Sequence, residues 1–345
     1  MSTFGKGTLI DRRVMLLGTG AFSALGAKAL AADAINVGVL RFVSSGGLYL
    51  AIERGYFKAE AIDVSLTFFE AAQPIAVSIA SGDTQFGLTG ISGGTLNLAG
   101  RGALKIIASQ GGEKKGYTGN LLVASNAAFA RGLTSFEALN GASVAISQVG
   151  STFHYQLGQI ADAKGFGLAK IAIKPLQSLP NMVAAVKTGQ VDATILAPHI
   201  AGPLIAHGDV KLIGPLSDIA DYQYGGLFTS PKILTGNRDL AVRFVRAYVR
   251  GLVDYNAALM RRGADGRPVE DDLAVKAGLE IGKYVYPSDP PAEAARKVIA
   301  AAVYCDPTGK VDIADIDRQI SWYKSQKLVD ASVETKAVVD TSIVP

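Results

Sequence analysis

Short apolar runs alternate with longer amphipathic stretches through the first two thirds of the chain. The runs INVGVL (35–40) and DVSLTFF (63–69) are rich in β-branched residues, and apolar positions at helical spacing follow each of them. A third run, QFGLTG (85–90), completes the order strand, helix, strand, helix, strand. This order is typical of parallel βαβ units, so the pattern predicts an α/β protein.

The same order of elements recurs at a constant offset of 107 residues. Val37 then aligns with Val144, and the helix-ending Gly82 aligns with Gly189. The period is far longer than those of solenoid repeats, so the pattern predicts two similar lobes rather than an array. The second set of strand-like runs is ASVAIS (142–147), KIAIKPL (170–176) and DATILA (192–197).

Two segments are predicted to connect the lobes. Residues 109–120 are rich in glycine and lysine, and residues 214–226 provide a return. We therefore expect residues 32–118 and 220–345, which end in helices, to form lobe 1, and residues 119–219 to form lobe 2. Two lobes joined by two crossovers enclose a cleft.

Composition and charge exclude several classes of function. The chain has 34 Lys and Arg against 30 Asp and Glu, and most of this small excess lies in the first 31 residues. Nucleic-acid binding needs clustered basic residues, so we expect no nucleic-acid partner. Cys305 is the only cysteine, which excludes an internal disulfide and a cysteine-based metal site. We expect neither a metal nor a cofactor.

Residues 1–31 have the pattern of an export signal. Arg12 and Arg13 precede an apolar stretch that is short for a membrane span, and ALA at 29–31 offers small residues for cleavage. The stretch DRRVMLL is similar to a twin-arginine signal, although Asp11 and Met15 depart from the usual residues. The sequence therefore predicts a mature protein in the periplasm, with the route of export left open.

The candidate ligand site lies at the carboxyl ends of the strands, where open parallel sheets bind ligands. The offset places Arg41 to Ser45 opposite Gln148 to Thr152, and Gly90 to Ser92 opposite Ala197 to His199. The predicted ligand-binding residues are Arg41, Phe42, Ser44, Ser45, Gly90, Ser92, Gln148, Ser151, Thr152 and His199.

These residue types favour an organic anion. The serine and threonine positions begin helices, whose first amides and dipoles attract negative charge. Arg41 could pair bidentately with a carboxylate or sulfonate, and His199 could donate to an oxyanion. Phe42 and Phe153 could enclose the ligand body, or pack within their lobes. A cationic ligand would need acidic groups or several aromatic groups, which these loops lack, and inorganic nitrate fits less well than an organic acid.

Gly90–Gly94 also matches G-x-S-x-G, the nucleophile elbow of serine hydrolases. A hydrolase would need an acid and then a histidine after Ser92. The available histidines are His154, His199 and His207, and the repeat assigns His199 to the opposite lobe. We therefore interpret Ser92 as a binding residue, and its neighbouring glycines as sites where backbone approaches a ligand.

Several segments resemble the periplasmic solute-binding proteins of nitrate, sulfonate and taurine ABC transporters, a group that includes thiamine-precursor binders. They are LAIERGYFKAEAIDVSL (50–66), SGDTQFGLT (81–89), SFEALNGASVAISQVGSTFH (135–154) and KTGQVDATI (187–195). The resemblance implies a two-lobe periplasmic-binding fold of type II, with a mostly parallel sheet flanked by helices in each lobe. It also implies delivery of a small molecule from the cleft to a membrane permease.

Alternatives on the same fold remain open. The sequence cannot separate transport from a periplasmic sensing role beside a sensor kinase. Pyrimidine-synthase-like relatives use a cysteine-rich motif, which a chain with one cysteine lacks. We therefore expect a monomeric binding protein rather than an enzyme.

Overall fold

The computed structural model describes residues 32–344, and the predicted export signal at residues 1–31 lies outside them. The strands are β1 (Asp33–Val39), β2 (Ile62–Phe68), β3 (Phe86–Gly90), β4 (Lys105–Glu113), β5 (Leu121–Ser125), β6 (Ser143–Ile146), β7 (Ala172–Pro175), β8 (Ala193–Leu196), β9 (Val210–Pro215) and β10 (Tyr222–Thr229). The helices are α1 (Gly46–Glu53), α2 (Tyr56–Ala59), α3 (Ala72–Ser81), α4 (Gly93–Gly100), α5 (Asn126–Ala130), α6 (Thr152–Ala163), α7 (Leu179–Thr188), α8 (Pro198–Ala206), α9 (Pro231–Gly236), α10 (Arg238–Leu259), α11 (Asp272–Val285), α12 (Pro291–Ala300), α13 (Ile313–Ser325) and α14 (Thr335–Val338).

Two five-stranded sheets have the same topology. Sheet 1 has the order β2-β1-β3-β10-β4, and sheet 2 has the order β7-β6-β8-β5-β9. The fourth strand of each sheet, β10 or β5, runs antiparallel to both of its neighbours. Each sheet is therefore mostly parallel, and the predicted two-lobe α/β fold is confirmed. We call the body around sheet 1 lobe 1 and the body around sheet 2 lobe 2.

The offset of 107 residues holds for strand pairing as well as for the hydrophobic pattern. Val37 of β1 pairs with Leu66 of β2, and Val144 of β6 pairs with Ile173 of β7. Both valines are completely buried. A shift of one residue would turn the apolar side chains to the opposite face of the sheet, so the shared register gives both lobes the same core.

The crossovers differ from the sequence-based expectation because parts of both are strands. The glycine-rich segment 109–120 begins within β4, and the return segment 214–226 ends within β10. Glycine makes these stretches look like loops. Here it allows close contact, since a Cβ on Gly111 would lie 2.8 Å from the Tyr224 hydroxyl oxygen. The chain crosses between the sheets at residues 114–120 and 216–221.

Helices cover both faces of each sheet. Sheet 1 lies between a core formed with α1, α10 and α11 and a core formed with α3, α4 and α13. Sheet 2 lies between a core that includes α6 and a core that includes α7 and α8. Within residues 32–344, none of the helices combines the length and the apolar character needed to cross a membrane.

Candidate functional site

A chamber of about 70 Å³ lies between the lobes, at the carboxyl ends of the parallel strands. We call it the inner chamber. Most of its wall is apolar, and hydroxyl and amide side chains face it at a few points. Its lining residues are Leu40, Phe42, Val43, Ser44, Glu70, Ala71, Ala72, Gly90, Gln110, Asn120, Ser147, Ser151, Thr152, Phe153, Leu179, Ala197, Pro198, His199, Tyr224 and Val303.

Five helix starts line the inner chamber, two in lobe 1 and three in lobe 2. Lobe 1 contributes the 3-10 turn Val43–Ser45, which leads into α1, and the start of α3. Lobe 2 contributes the starts of α6, α7 and α8. The first amides of a helix have no acceptor within that helix, and the helix dipole places partial positive charge there. Backbone groups of both lobes can therefore bind one negatively charged oxygen-bearing group.

Side chains add no positive charge to this chamber. None of its lining residues is lysine or arginine. Glu70 is the only lining residue with a formal charge at neutral pH, and it is exposed at the edge of the chamber. Any anion held here would rely on backbone amides, hydroxyl groups and side-chain amides, which stabilise a carboxylate when they donate to it directly.

His199 is buried and uncharged in the wall of the chamber. Burial lowers the pKa of its imidazole to about 3, so the ring is neutral at physiological pH. The ring meets the edge of Phe42, with 4.6 Å between centroids. A neutral imidazole offers one donor and one acceptor, so His199 can hydrogen-bond a ligand without contributing charge.

The lobes touch one another around the chamber. The Thr152 hydroxyl donates to the carbonyl of Ile91 over 3.0 Å, and the amide of Gly93 donates to the carbonyl of Gly150 over 2.9 Å. On another side, the hydroxyl of Tyr286 in lobe 1 donates to the carbonyl of His199 in lobe 2. The structure is therefore a closed arrangement of the two lobes.

Six of the ten residues proposed from the sequence line the inner chamber. They are Phe42, Ser44, Gly90, Ser151, Thr152 and His199. Ser45 is completely buried beside the chamber, where its hydroxyl accepts a hydrogen bond from the side chain of Gln110 over 3.1 Å. Ser92 and Gln148 lie in a separate crevice of about 180 Å³ that shares Ala72, Ser147 and Ser151 with the chamber wall.

Arg41 does not line the inner chamber. Its guanidinium lies over the ring of Phe68, 3.7 Å from the centroid, and donates to the carbonyl of Tyr284 over 2.9 Å. Its side chain is exposed at a neighbouring crevice. The structure therefore does not support the expected bidentate pair between Arg41 and a ligand held in the inner chamber.

Ser92 has a structural role at the start of α4. Its hydroxyl oxygen accepts from the amide of Thr95 over 3.1 Å, and the Thr95 hydroxyl oxygen accepts from the amide of Ser92 over 2.8 Å. These reciprocal bonds form a capping box. Among the described residues no histidine hydrogen-bonds Ser92, and Nδ1 of His154 instead accepts from the amide of Gly150. The geometry is that of a helix cap.

Some chamber residues that were not predicted from the sequence form pairs separated by the same 107 residues. Leu40 and Ser147 both line the chamber, as do Ala72 and Leu179. The latter pair begins the helices that follow the second strand of each lobe, a position that the repeat could have indicated. The amide side chain of Gln110 and the ring of Tyr224 come from the strands β4 and β10. These strands lie outside the three-strand repeat recognised in the sequence, and no motif marks them.

Several solved structures of similar fold are binding proteins. The ligand-binding component of an ABC-type import system from Staphylococcus aureus is 15% identical, with a TM-score of 0.68, and the match covers 90% of this chain and 98% of that one. The alkanesulfonate-binding protein SsuA from Xanthomonas axonopodis pv. citri, bound to MOPS, is 18% identical with a TM-score of 0.67, over 90% and 99%. The periplasmic nitrate-binding protein NrtA from Synechocystis PCC 6803 is 12% identical with a TM-score of 0.69, over 90% and 87%. None of the curated protein sequences compared with this chain matches it.

The two lobes, the matching sheets and the chamber between them define the periplasmic-binding-protein fold. The chain itself belongs to the NMT1/THI5-like family, whose model matches residues 43–258. The family resemblance recognised in the sequence is thereby confirmed.

Proposed function

We propose that this protein is the substrate-binding component of an ABC importer. It captures a small organic anion, a sulfonate or a carboxylate, between its lobes and delivers it to a membrane permease. It acts in the periplasm as a monomer. The alkanesulfonate-binding, nitrate-binding and import-system proteins of the same fold support this role.

The observation that carries the proposal is the convergence of helix N-termini from both lobes on one chamber. An oxyanion held there would receive hydrogen bonds from both lobes at once. The closed arrangement would then bind it more tightly than an open one, and only such a difference in affinity can shift the lobes toward closure. Capture and closure would therefore be one event.

A ligand screen tests the charge of the solute. Methanesulfonate, acetate, benzoate and nitrate are compared with the neutral acetamide and the cationic methylamine by thermal unfolding. An acid at about 100 times its Kd should stabilise the protein by about 2.7 kcal/mol, which is a clear rise in Tm. A rise with acetamide or methylamine and with none of the acids would refute the proposed anion.

Two serines with the same capping role provide a matched pair of variants. Ser151 caps α6 at the chamber by accepting from the amide of His154, and Ser125 caps α5 outside it by accepting from the amide of Ala128. Both Ser→Ala variants should lose about 1 kcal/mol of stability. Ser151→Ala alone should also weaken binding of the acid with the lowest Kd, by about 0.5–1.5 kcal/mol in calorimetry. Equal affinity in the two variants would remove Ser151 from the site.

A further inference from the structure

The crevice beside Arg41 adjoins the inner chamber, is partly open to solvent and is more than four times larger. Its volume is about 320 Å³, and we call it the outer chamber. The two cavities share Leu40, Phe42, Glu70, Leu179 and His199 in their walls. The edge contact between Phe42 and His199 thus stands at the boundary of two compartments of one cleft.

The two compartments differ in chemistry. The 3-10 turn and the starts of α3 and α6 line only the inner chamber, whereas the starts of α7 and α8 line both chambers. The outer chamber is lined mainly by apolar side chains that take no part in the inner one, among them Phe69, Val183, Ile200 and Val285. Its arginine, Arg41, already packs on Phe68 and donates to the carbonyl of Tyr284. The outer chamber is therefore suited to a hydrocarbon group.

The volume of the inner chamber limits what can fit in it. A dry cavity of about 150 Å³ accommodates one benzene molecule, so a chamber of about 70 Å³ is too small even for an aromatic ring. It has room for an acidic head group and little more. A larger organic acid would have to extend past Phe42 and His199 into the outer chamber.

We propose that the outer chamber binds the apolar tail of the same ligand whose acidic group occupies the inner chamber. This inference rests on the proposed function and narrows it: the solute is an elongated amphiphilic acid rather than a compact ion. The order of groups follows from the walls, with the oxyanion at the helix N-termini and the hydrocarbon beside Val183, Ile200 and Val285.

A homologous series tests the tail. The probes are linear alkanesulfonates and linear alkanoates with one to eight carbon atoms, and the readout is Kd from calorimetry. Burial of one methylene is worth about 0.8 kcal/mol, so each carbon that enters the outer chamber should lower Kd about three- to fourfold. A Kd that stays constant beyond the shortest bound member would overturn the inference and leave the proposed function intact. If no member of either series binds, the proposed anion fails as well.

A substitution in the wall of the outer chamber tests whether the apolar tail binds there. Val183 on α7 lines the outer chamber and not the inner one. Val183→Asp should weaken the eight-carbon acid at least tenfold and change the Kd of the shortest bound acid less than twofold. The control is Val253→Asp, at an exposed valine on α10 that lines neither chamber. It should change neither Kd.

A second substitution covers the case in which Val183→Asp unfolds the protein. Val183→Ala removes two methyl groups. It should raise the Kd of the eight-carbon acid several-fold and leave the Kd of the shortest bound acid unchanged. Equal losses for long and short acids in either folded variant would show that the outer chamber does not hold a tail.

Discussion

Glu113 is a buried carboxyl group at the first connection between the lobes. Burial raises its pKa to about 8, although the backbone amide of Asn120 donates to it. The side chain of Gln156, from α6 in lobe 2, also donates to this carboxyl group over 3.2 Å. The residue therefore joins β4, the crossover and lobe 2 through one group that is protonated at neutral pH.

The raised pKa of Glu113 makes stability depend on pH. Between pH 4.5 and pH 8 the folded protein keeps this proton and the unfolded chain loses it, so the free energy of unfolding falls as pH rises. Burial lowers the pKa values of His154 and His199, which act in the opposite sense below about pH 6.5. The effect of Glu113 is thus seen most clearly from pH 6.5 to pH 8.

We expect Glu113→Gln to flatten the pH dependence in this window. The wild type should lose up to about 1.4 kcal/mol per pH unit relative to the variant, measured by urea unfolding at several pH values. Glu270→Gln, at an exposed carboxyl group, is the control and should follow the wild type. A slope in Glu113→Gln equal to that of the wild type would contradict the assignment.

Single residues of the site were predictable to different degrees. Ser44, Ser151 and His199 lie in segments that follow the carboxyl ends of strands. These ends lie at the ligand-binding edge of a parallel sheet, whichever face the side chains of the strand point to. The direction of Arg41 is different, because it depends on the carbonyl of Tyr284, which lies 243 residues later in the chain. Sequence near Arg41 holds no information about that contact.

Among the elements, α4 depends on its N-terminal cap. Ser92 and Thr95 satisfy each other's backbone amides, and both side chains are buried. We expect Ser92→Ala to lower the free energy of unfolding by about 1 kcal/mol. Acid binding in calorimetry should change less than twofold, because Ser92 does not line the inner chamber.

Ser325→Ala, at an exposed serine, is the control for Ser92→Ala and should leave stability within about 0.5 kcal/mol of the wild type. A large loss of affinity in Ser92→Ala would return Ser92 to the ligand site.

The elements of the repeat were predictable from local pattern, and the crossing strands were not. For β1, β2 and β3 and their counterparts, apolar residues of strand character lie between helices with clear stop signals. By contrast, β10 reads YQYGGLFT and β4 ends in two glycines and a glutamate. Their strand structure comes from pairing with partners distant in sequence, which no local pattern encodes.

At the scale of the whole molecule, closure requires close approach of the lobes at Gly90. A Cβ at this position would lie 2.6 Å from the hydroxyl oxygen of Thr152 in the other lobe. Thr152 cannot turn away without losing its hydrogen bond to the carbonyl of Ile91. Gly90→Ala should therefore strain the closed arrangement by about 1–3 kcal/mol, a typical cost of overpacking.

The expected results of Gly90→Ala are a larger radius of gyration in small-angle scattering with saturating acid, and a Kd raised roughly tenfold. The control is Gly167→Ala, where a Cβ meets no atom within 4 Å and φ is −73°. The double variant Gly90→Ala/Thr152→Ala removes the clash and should recover part of the affinity. Full closure and unchanged affinity in Gly90→Ala would show that this contact does not limit the approach of the lobes.

The strand orders of the two sheets also set the sequence of events when the chain first folds. Sheet 2 uses the consecutive strands β5 to β9, so all of its partners are present once Pro215 has emerged. Sheet 1 cannot be completed until β10 follows. Before then β4 has no neighbour in its sheet, because among the strands of residues 32–344 only β10 lies beside it. Lobe 2 thus behaves as an insertion that can fold early. In the nascent lobe 1, one edge of β3 and both edges of β4 meanwhile remain unpaired and open to mispairing with other chains.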